Sequence, residues 1–182
     1  MEQLQIEELD WVNALELAAL PALQEMELTG FAIDDESRIA LQQSLEHQLE
    51  ELTTQLSQIK KPAKGKKPAT VEPLNINSHL QIKEYFQKTW RIKLPDTKQE
   101  TLVELARITG KPEAAALLNN ITECRHLHKR LNTYVNHLQE KHRRGDGRVH
   151  GQFNPLGTVS GRISASNPNL QNIPRSAEFR KL

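Results

Sequence analysis

The stretch PEAAALLNNITECRHLHKRLNTYVNHLQEKH, residues 112–142, carries the longest periodic signal in the chain. Leu117, Ile121, Cys124, His128, Leu131, Val135 and Leu138 recur at alternating steps of four and three. That spacing gathers side chains on one stripe of an α-helix. Pro112 suits the first turn, where its missing N–H would have no partner anyway. The run predicts a helix of roughly 45 Å at 1.5 Å per residue. Arg125, Lys129, Arg130, Lys141, Arg143 and Arg144 fall on its other faces. A narrow apolar seam of that length needs a partner helix along it. Residues 36–59 offer one, with Leu41, Leu45, Leu49, Leu52, Leu56 and Ile59 at steps of three and four and polar side chains elsewhere. The expected fold class is therefore mainly α, built on two long antiparallel helices with a small helical tip and a short β-hairpin near the C-terminus.

Between the two helices lies Lys60-Lys61-Pro62-Ala63-Lys64-Gly65-Lys66-Lys67-Pro68. Lysines, prolines and a glycine in this density make no buried element, so an exposed basic tip is expected over residues 60–73. Asn75-Ile76-Asn77-Ser78 reads as a turn and N-cap for a helix over 79–89. Thr97-Lys98-Gln99-Glu100 has capping-box spacing and predicts a short helix through Leu102, Leu105 and Ile108, stopped by Gly110.

Upstream, Trp11, Leu15, Ala18, Ala19, Ala22, Leu23 and Met26 predict a helix over 10–29, with Pro21 kinking or restarting it and Gly30 ending it. Asp34 or Asp35 suits the cap of the next helix. Downstream, Gly145-Asp146-Gly147 reads as a turn and residues 148–153 as a strand, with Thr158-Val159-Ser160 pairing back. The resulting organisation is a connector helix (1–35), a helical body (36–144) and a final segment (145–182).

Composition bounds the function classes. The chain has 182 residues, is 37% hydrophobic and only 4% aromatic, and has a mean hydropathy of −0.63. A single cysteine excludes an intramolecular disulfide. No apolar run approaches the ~18 residues of a membrane-spanning helix. The N-terminus lacks a basic-then-apolar leader, so cytoplasm is the expected compartment. The net charge of +1 hides a division: residues 1–59 hold 13 acids and one basic residue, for a net −12, and residues 60–182 sum to +13. The second part is suited to a polyanion and the first is not.

The run Gly161-Arg162-Ile163-Ser164-Ala165-Ser166-Asn167-Pro168-Asn169-Leu170-Gln171-Asn172-Ile173-Pro174 follows no core-packing rule. Its short polar side chains suit a surface read by a polar partner, with Arg162, Asn169, Gln171 and Asn172 projecting from constrained backbone. The alternative is local: amides that cap turns and an arginine in a salt bridge. Cys124 and His128 share a helix face, and His126, His137 and His142 are near in sequence. Without a paired Cys-x-x-Cys to complete four ligands, no metal site is expected. No Ser-His-Asp arrangement, Walker loop or dinucleotide fingerprint is visible.

In word order the Gly161–Pro174 run resembles the segment leading into the palm of family A DNA polymerases, T-x-T-G-R-L-S-S-x-x-P-N-L-Q-N-I-P. Pro21, Leu23, Met26, Glu27, Gly30 and Asp34 fit the family's P-x-L-x-x-M-E-x-x-G-x-x-x-D. Arg125, Leu127, Lys129, Thr133 and Tyr134 fit its R-x-L-x-K-x-x-x-T-Y. Gly147-Arg148-Val149-His150 with Phe153-Asn154 is similar to its entry to the palm. Leu131 departs from the pattern, standing where the family often has lysine.

The resemblance implies a thumb and the start of a palm, of the bacterial DNA polymerase I type, gripping double-stranded primer–template DNA. It assigns phosphate contacts to Lys60, Lys61, Lys64, Lys66, Lys67, Arg125, Lys129, Arg130 and Thr133. A duplex presents about one charge per 1.7 Å, so such cations gain affinity by counterion release. It assigns the minor groove at the primer end to Arg162, Asn169, Gln171 and Asn172. The minor groove offers an acceptor at every base pair, so a donor there checks pair geometry without reading sequence. Mg²⁺ is implied for a complete polymerase, but the carboxylates that hold it, and the nucleotide-binding fingers helix, have no counterpart in this sequence. No catalytic residue is assigned. Synthesis by this stretch alone is not expected, which leaves room for a second polypeptide, docked near Leu182, carrying the rest of palm and fingers. A helical protein-interaction scaffold, or a non-functional relic of a polymerase, is the alternative.

Overall fold

The computed structural model describes the backbone of residues 2–59, 73–139 and 143–182, with side chains from Asp10 onward. The basic tip falls almost wholly outside the described residues. In chain order the helices are α1 (Glu2–Thr29), α2 (Asp35–Ser57), α3 (His79–Trp90), α4 (Gln99–Ile108) and α5 (Pro112–Lys129). A π-helical turn (Arg130–Tyr134) and a 3₁₀ turn (Val135–Leu138) continue α5. Strands β1 (Gln152–Asn154) and β2 (Ser164–Ser166) form one antiparallel hairpin. Two short 3₁₀ turns, Leu170–Asn172 and Phe179–Lys181, close the chain. The fold is mainly helical with a small β-hairpin.

Two compact units emerge: Gln42–Thr133, and Met1–Leu41 together with Tyr134–Leu182. In the first, α4 packs on α5. Leu56, Ile82, Phe86, Leu94, Leu102, Leu117, Leu118, Ile121 and Cys124 form its core, with Leu49 and Ile59 against it. The Thr53 hydroxyl of α2 reaches the Cys124 thiol of α5, and burial pushes that thiol's pKa up. Tyr85 and Trp90 meet edge to face, and Phe86 lies 5.1 Å from Trp90 between ring centroids.

Several local expectations change. The buried residues of α5 are Ala114, Leu117, Leu118, Ile121, Cys124 and Leu127, and those of the two turns after it are Leu131, Val135 and Leu138; Leu127 is buried in the place expected for His128. The imidazole gives way to the more apolar neighbour. The helix does not run α-helically to 142: a π turn adds one residue per turn from Arg130, which re-aims the residues beyond it. Helix α4 lacks its capping box. Thr97 is 2% exposed and turns inward, where its hydroxyl meets His79 Nδ1. Asp96 replaces it: the Thr101 hydroxyl and the Lys98 amide both donate to its carboxylate, which lowers its pKa. Ser78 does cap α3, accepting from Gln81 N at 3.4 Å.

In the second unit α1 passes through Pro21 without a break. Leu17 and Pro21 are exposed, so solvent is available to the carbonyl the proline leaves free. Its expected apolar stripe is mostly uncovered: Trp11 is 68% and Leu15 57% exposed, while Leu23 is buried. Gly30 ends the helix at φ 62°, with its amide donating to Met26 O. Of the two candidate caps for α2, Asp34 acts: Glu36 N and the Ser37 hydroxyl donate to its carboxylate at 3.2 and 2.6 Å. The hairpin is shifted from expectation. Val149 pairs with Phe31 as an isolated bridge, and Ser164–Ser166, not Thr158–Ser160, returns along β1. The Thr158 hydroxyl instead donates to Arg162 O at 2.7 Å, which closes the connecting loop on itself.

Candidate nucleic-acid interface

The hairpin sets the position of the polar run. Gln152, Phe153 and Asn154 stand opposite Ser166, Ala165 and Ser164. Two glycines allow the chain to close behind it. A Cβ on Gly157 would overlap the Ser164 hydroxyl at 1.8 Å, and one on Gly151 would crowd Pro168 O and Leu170 at 3.1 and 3.2 Å. Asn167 takes φ 51°, and its side-chain amide donates to Gln152 Oε1 at 2.8 Å. Asn and Asp tolerate that left-handed region better than most residues. The run thus leaves β2 along a defined path.

On that path Arg162, Asn169, Gln171 and Asn172 are all exposed. Asn169 is partly committed: its Oδ1 accepts from Gln171 N at 3.2 Å, capping the 3₁₀ turn Leu170–Asn172. The same turn displays the side chains of Gln171 and Asn172 on consecutive residues. The result is a short lip of amides with a guanidinium nearby in sequence, all donors, on a backbone braced by the hairpin. Leu156 and Val159, also exposed, cap the loop between the strands.

The expected phosphate contacts divide into three groups. Lys60, Lys61, Lys64, Lys66 and Lys67 lie outside the described residues. In the Gln42–Thr133 unit, Lys129 and Thr133 are exposed and Arg130 is half-buried. Arg125 is spent internally. Its Nη1 donates to Thr97 O at 2.7 Å, and its Nη2 and Nε donate to Ile76 O at 2.6 and 3.2 Å. Burial lowers its pKa from the ordinary value. This guanidinium clamps two loop carbonyls to α5, and only the sequence pattern suggested phosphate.

Arg143 is a second correction. Helical spacing puts it on an open basic face, yet its side chain is 5% exposed. Its Nη1 and Nη2 donate to the two oxygens of Asp35 at 2.7 Å each, and Nη2 and Nε donate to Leu138 O. Arg38 Nε donates to the same carboxylate at 3.0 Å. The bidentate bond from Arg143, then the bond from Arg38, hold Asp35 down to about 2.

Sequence reasoning also missed a network at the C-terminal end of α1. His150 Nδ1 meets Glu27 O at 2.6 Å, and its Nε2 meets the Asp146 carboxylate at 3.0 and 3.2 Å. Phe153 N donates to Glu27 Oε1 at 2.6 Å. Arg148 Nε and Nη2 donate to Thr29 O and Gly30 O at 2.6 and 3.0 Å. Periodicity carries no trace of these bonds. Glu27 and His150 stood out only as letters of family patterns. Among the described residues no three His, Cys, Asp or Glu side chains converge on a point where a metal ion would sit.

A family model described as DNA polymerase family A matches residues 42–182. The chain belongs to DNA polymerase family A. It is 35% identical to a DNA polymerase I of Caldicellulosiruptor bescii, covering 92% of this chain and 19% of that one. It is 32% identical to a thermostable DNA polymerase I of Thermus caldophilus, over 92% of this chain and again 19% of the relative. The chain therefore spans about a fifth of the length of these family A relatives. Among solved structures, the POL domain of Pol1 from M. smegmatis, in complex with DNA primer-template and dNTP, superposes with a TM-score of 0.71 at 25% identity. That superposition covers 96% of this chain and 30% of the M. smegmatis chain.

Proposed function

We propose that this chain is the primer–template-binding portion of a family A DNA polymerase of the bacterial DNA polymerase I type. Residues 36–144 are its thumb, with α2 and α5 as the long antiparallel pair and a basic tip at 60–73. Residues 1–35 are the connector before the thumb, and 145–182 the start of the palm. The observation that carries the reading is the exposed lip of Arg162, Asn169, Gln171 and Asn172 in a family A chain. Its likeness to a domain solved with DNA primer-template supports the same partner.

In this reading the lip donates to minor-groove acceptors at the primer end, where every base pair offers one. Lys129 and Arg130, with the tip lysines, neutralise phosphates, the Thr133 hydroxyl hydrogen-bonds to one, and together they fix the duplex without reading it. Arg125 leaves that set and braces the loops at Ile76 and Thr97 instead. The parent activity is template-directed addition of deoxynucleotides to a primer 3′ end in DNA replication or repair. Mg²⁺ would serve that step in a complete polymerase, and no residue of this chain is assigned to hold it.

A second polypeptide or further chain would complete palm and fingers. The sequence suggests docking near Leu182, yet α1 exposes more apolar surface, with Trp11, Leu17 and Leu28 each more than 60% exposed. These exposed apolar side chains favour the scaffold alternative, in which α1 binds a partner protein and DNA contact is incidental. The compartment in either reading is the cytoplasm, at the nucleoid. Among the described residues no helix is long and apolar enough to cross a membrane.

Fluorescence anisotropy with a labelled duplex separates the two. Primer–template with a recessed end and a blunt duplex of equal length are titrated at several salt concentrations. The polymerase reading expects tighter binding to the recessed end and an affinity that falls steeply with salt. Equal, weak and salt-insensitive binding to both supports the scaffold.

A further inference from the structure

We propose that Glu27 is a positioning residue for the DNA-contacting lip, holding the strand that feeds it through both its main-chain carbonyl and its carboxylate. The proposal rests on the reading of that lip as the primer-end contact.

The last carbonyls of any α-helix lack intrahelical partners. At the end of α1 they are shared out. Met26 O takes the Gly30 amide, Glu27 O takes His150 Nδ1, and Thr29 O takes Arg148 Nε. Two of the three donors are cationic or ionisable side chains, which suits the negative end of a helix. The ring of His150 reaches Glu27 only because residue 30 is glycine. A Cβ there would stand 2.7–2.9 Å from the imidazole, and φ is +62°.

His150 Nδ1 faces the Glu27 carbonyl and its Nε2 faces the Asp146 carboxylate, so the ring bridges two acceptors. The Asp146 carboxylate is itself held ionised: the Arg148 amide, then the His150 ring, lower its pKa. The charged groups around the ring are thus Asp146 from the preceding turn, Arg148 two residues before it, and Glu27 from α1.

Glu27 acts again through its side chain. Phe153 N donates to Glu27 Oε1, and Phe153 stands opposite Ala165 in the hairpin. One residue past β2 begins the path to Asn169, Gln171 and Asn172. Gly151, between His150 and β1, packs against Pro168 O and Leu170 of that path. Glu27 thus acts on the lip through the chain that leads to it. It fixes that chain at His150, just before β1, and at Phe153 within it, and β1 fixes the lip.

The test uses the full chain with Glu27→Ala and Glu27→Gln, each checked for folding by circular dichroism. Recessed-end and blunt duplexes are titrated by fluorescence anisotropy across a range of salt. The ratio of their affinities is expected to fall about tenfold in Glu27→Ala, as loss of a charge-assisted hydrogen bond allows. The salt slope should not move, because the phosphate contacts lie elsewhere. Glu27→Gln keeps an acceptor oxygen and is expected to stay within about twofold of the wild-type ratio. One readout needs no DNA. Hydrogen exchange at the Phe153 amide should accelerate in Glu27→Ala. An unchanged ratio, an equal loss on both duplexes, or unchanged Phe153 exchange would overturn the proposal. A wild-type chain that fails to distinguish the duplexes would sink the primer-end reading instead, leaving Phe153 exchange to decide the role of Glu27.

Discussion

The Gln42–Thr133 unit and the hairpin-bearing unit are held together by different physics. In the first, Ile82, Phe86, Leu102, Leu118, Ile121 and Cys124 are fully buried, and around this apolar core the polar ties are Thr97, buried with it, and Arg125, bonded to Ile76 O and Thr97 O. In the second, Arg38 and His150 are buried, the Arg143 side chain is 5% exposed, and charged side chains tie backbone carbonyls of distant segments. Packing is cooperative and forgiving of polar change at the surface. A network of directed bonds fails when one member is lost. The polar lip sits on the second kind of support, where geometry rather than bulk decides.

The contrast is sharpest for Phe86. Truncation to Ala should cost about 3–5 kcal/mol in urea or thermal unfolding, the range for a large buried aromatic. An effect below about 1 kcal/mol would mean that the helical unit does not rest on this core. Arg125→Ala comes next. It strips Ile76 O and Thr97 O of their donors, for an expected loss of about 1–3 kcal/mol. If Arg125 were mainly a phosphate contact, stability would hold and only DNA affinity would fall.

Asp35 probes the other unit through pH. Its pKa falls from 3.8 to about 2 on folding, because Arg143 and then Arg38 bond the charged form. A depressed carboxylate stabilises the fold above its unfolded pKa and loses that contribution as pH falls through the folded one. Wild-type stability should therefore decline between about pH 4 and pH 2, and Asp35→Asn should flatten that part of the curve, as acid titration followed by circular dichroism would show. The smallest stability effects belong to the lip. Arg162→Ala and Gln171→Ala should leave unfolding within about 0.5 kcal/mol of wild type, since both side chains are exposed.

How much of this was legible in the sequence also divides along the same line. The apolar stripe of α2 and the seam of α5 were readable because helical periodicity reports burial directly. Gly30, Pro112 and Ser78 were readable because backbone chemistry confines them to ends and caps. Leu127 was missed for His128 because both lie close to the seam and spacing alone does not separate neighbours. The α1 stripe promised a buried face, yet a helix is amphipathic in sequence whether or not its partner is present. The bonds of Arg125, Arg143, Glu27 and His150 link residues between 4 and 126 positions apart. No local pattern encodes them, so the same arginines looked like open cations. The lip was legible as polar and turn-rich. Its pairing partner was not, because the Ser164–Ser166 strand has no alternating apolar signal.

The most direct measurement is an NMR titration of the side-chain amides with recessed primer–template. If the lip meets the primer end, the NH₂ signals of Asn169, Gln171 and Asn172, and the Arg162 Nε–H, shift and saturate together, while the Asn167 amide, bonded to Gln152, moves little. Shifts confined to α3 and α4, with these lip signals still, would contradict it.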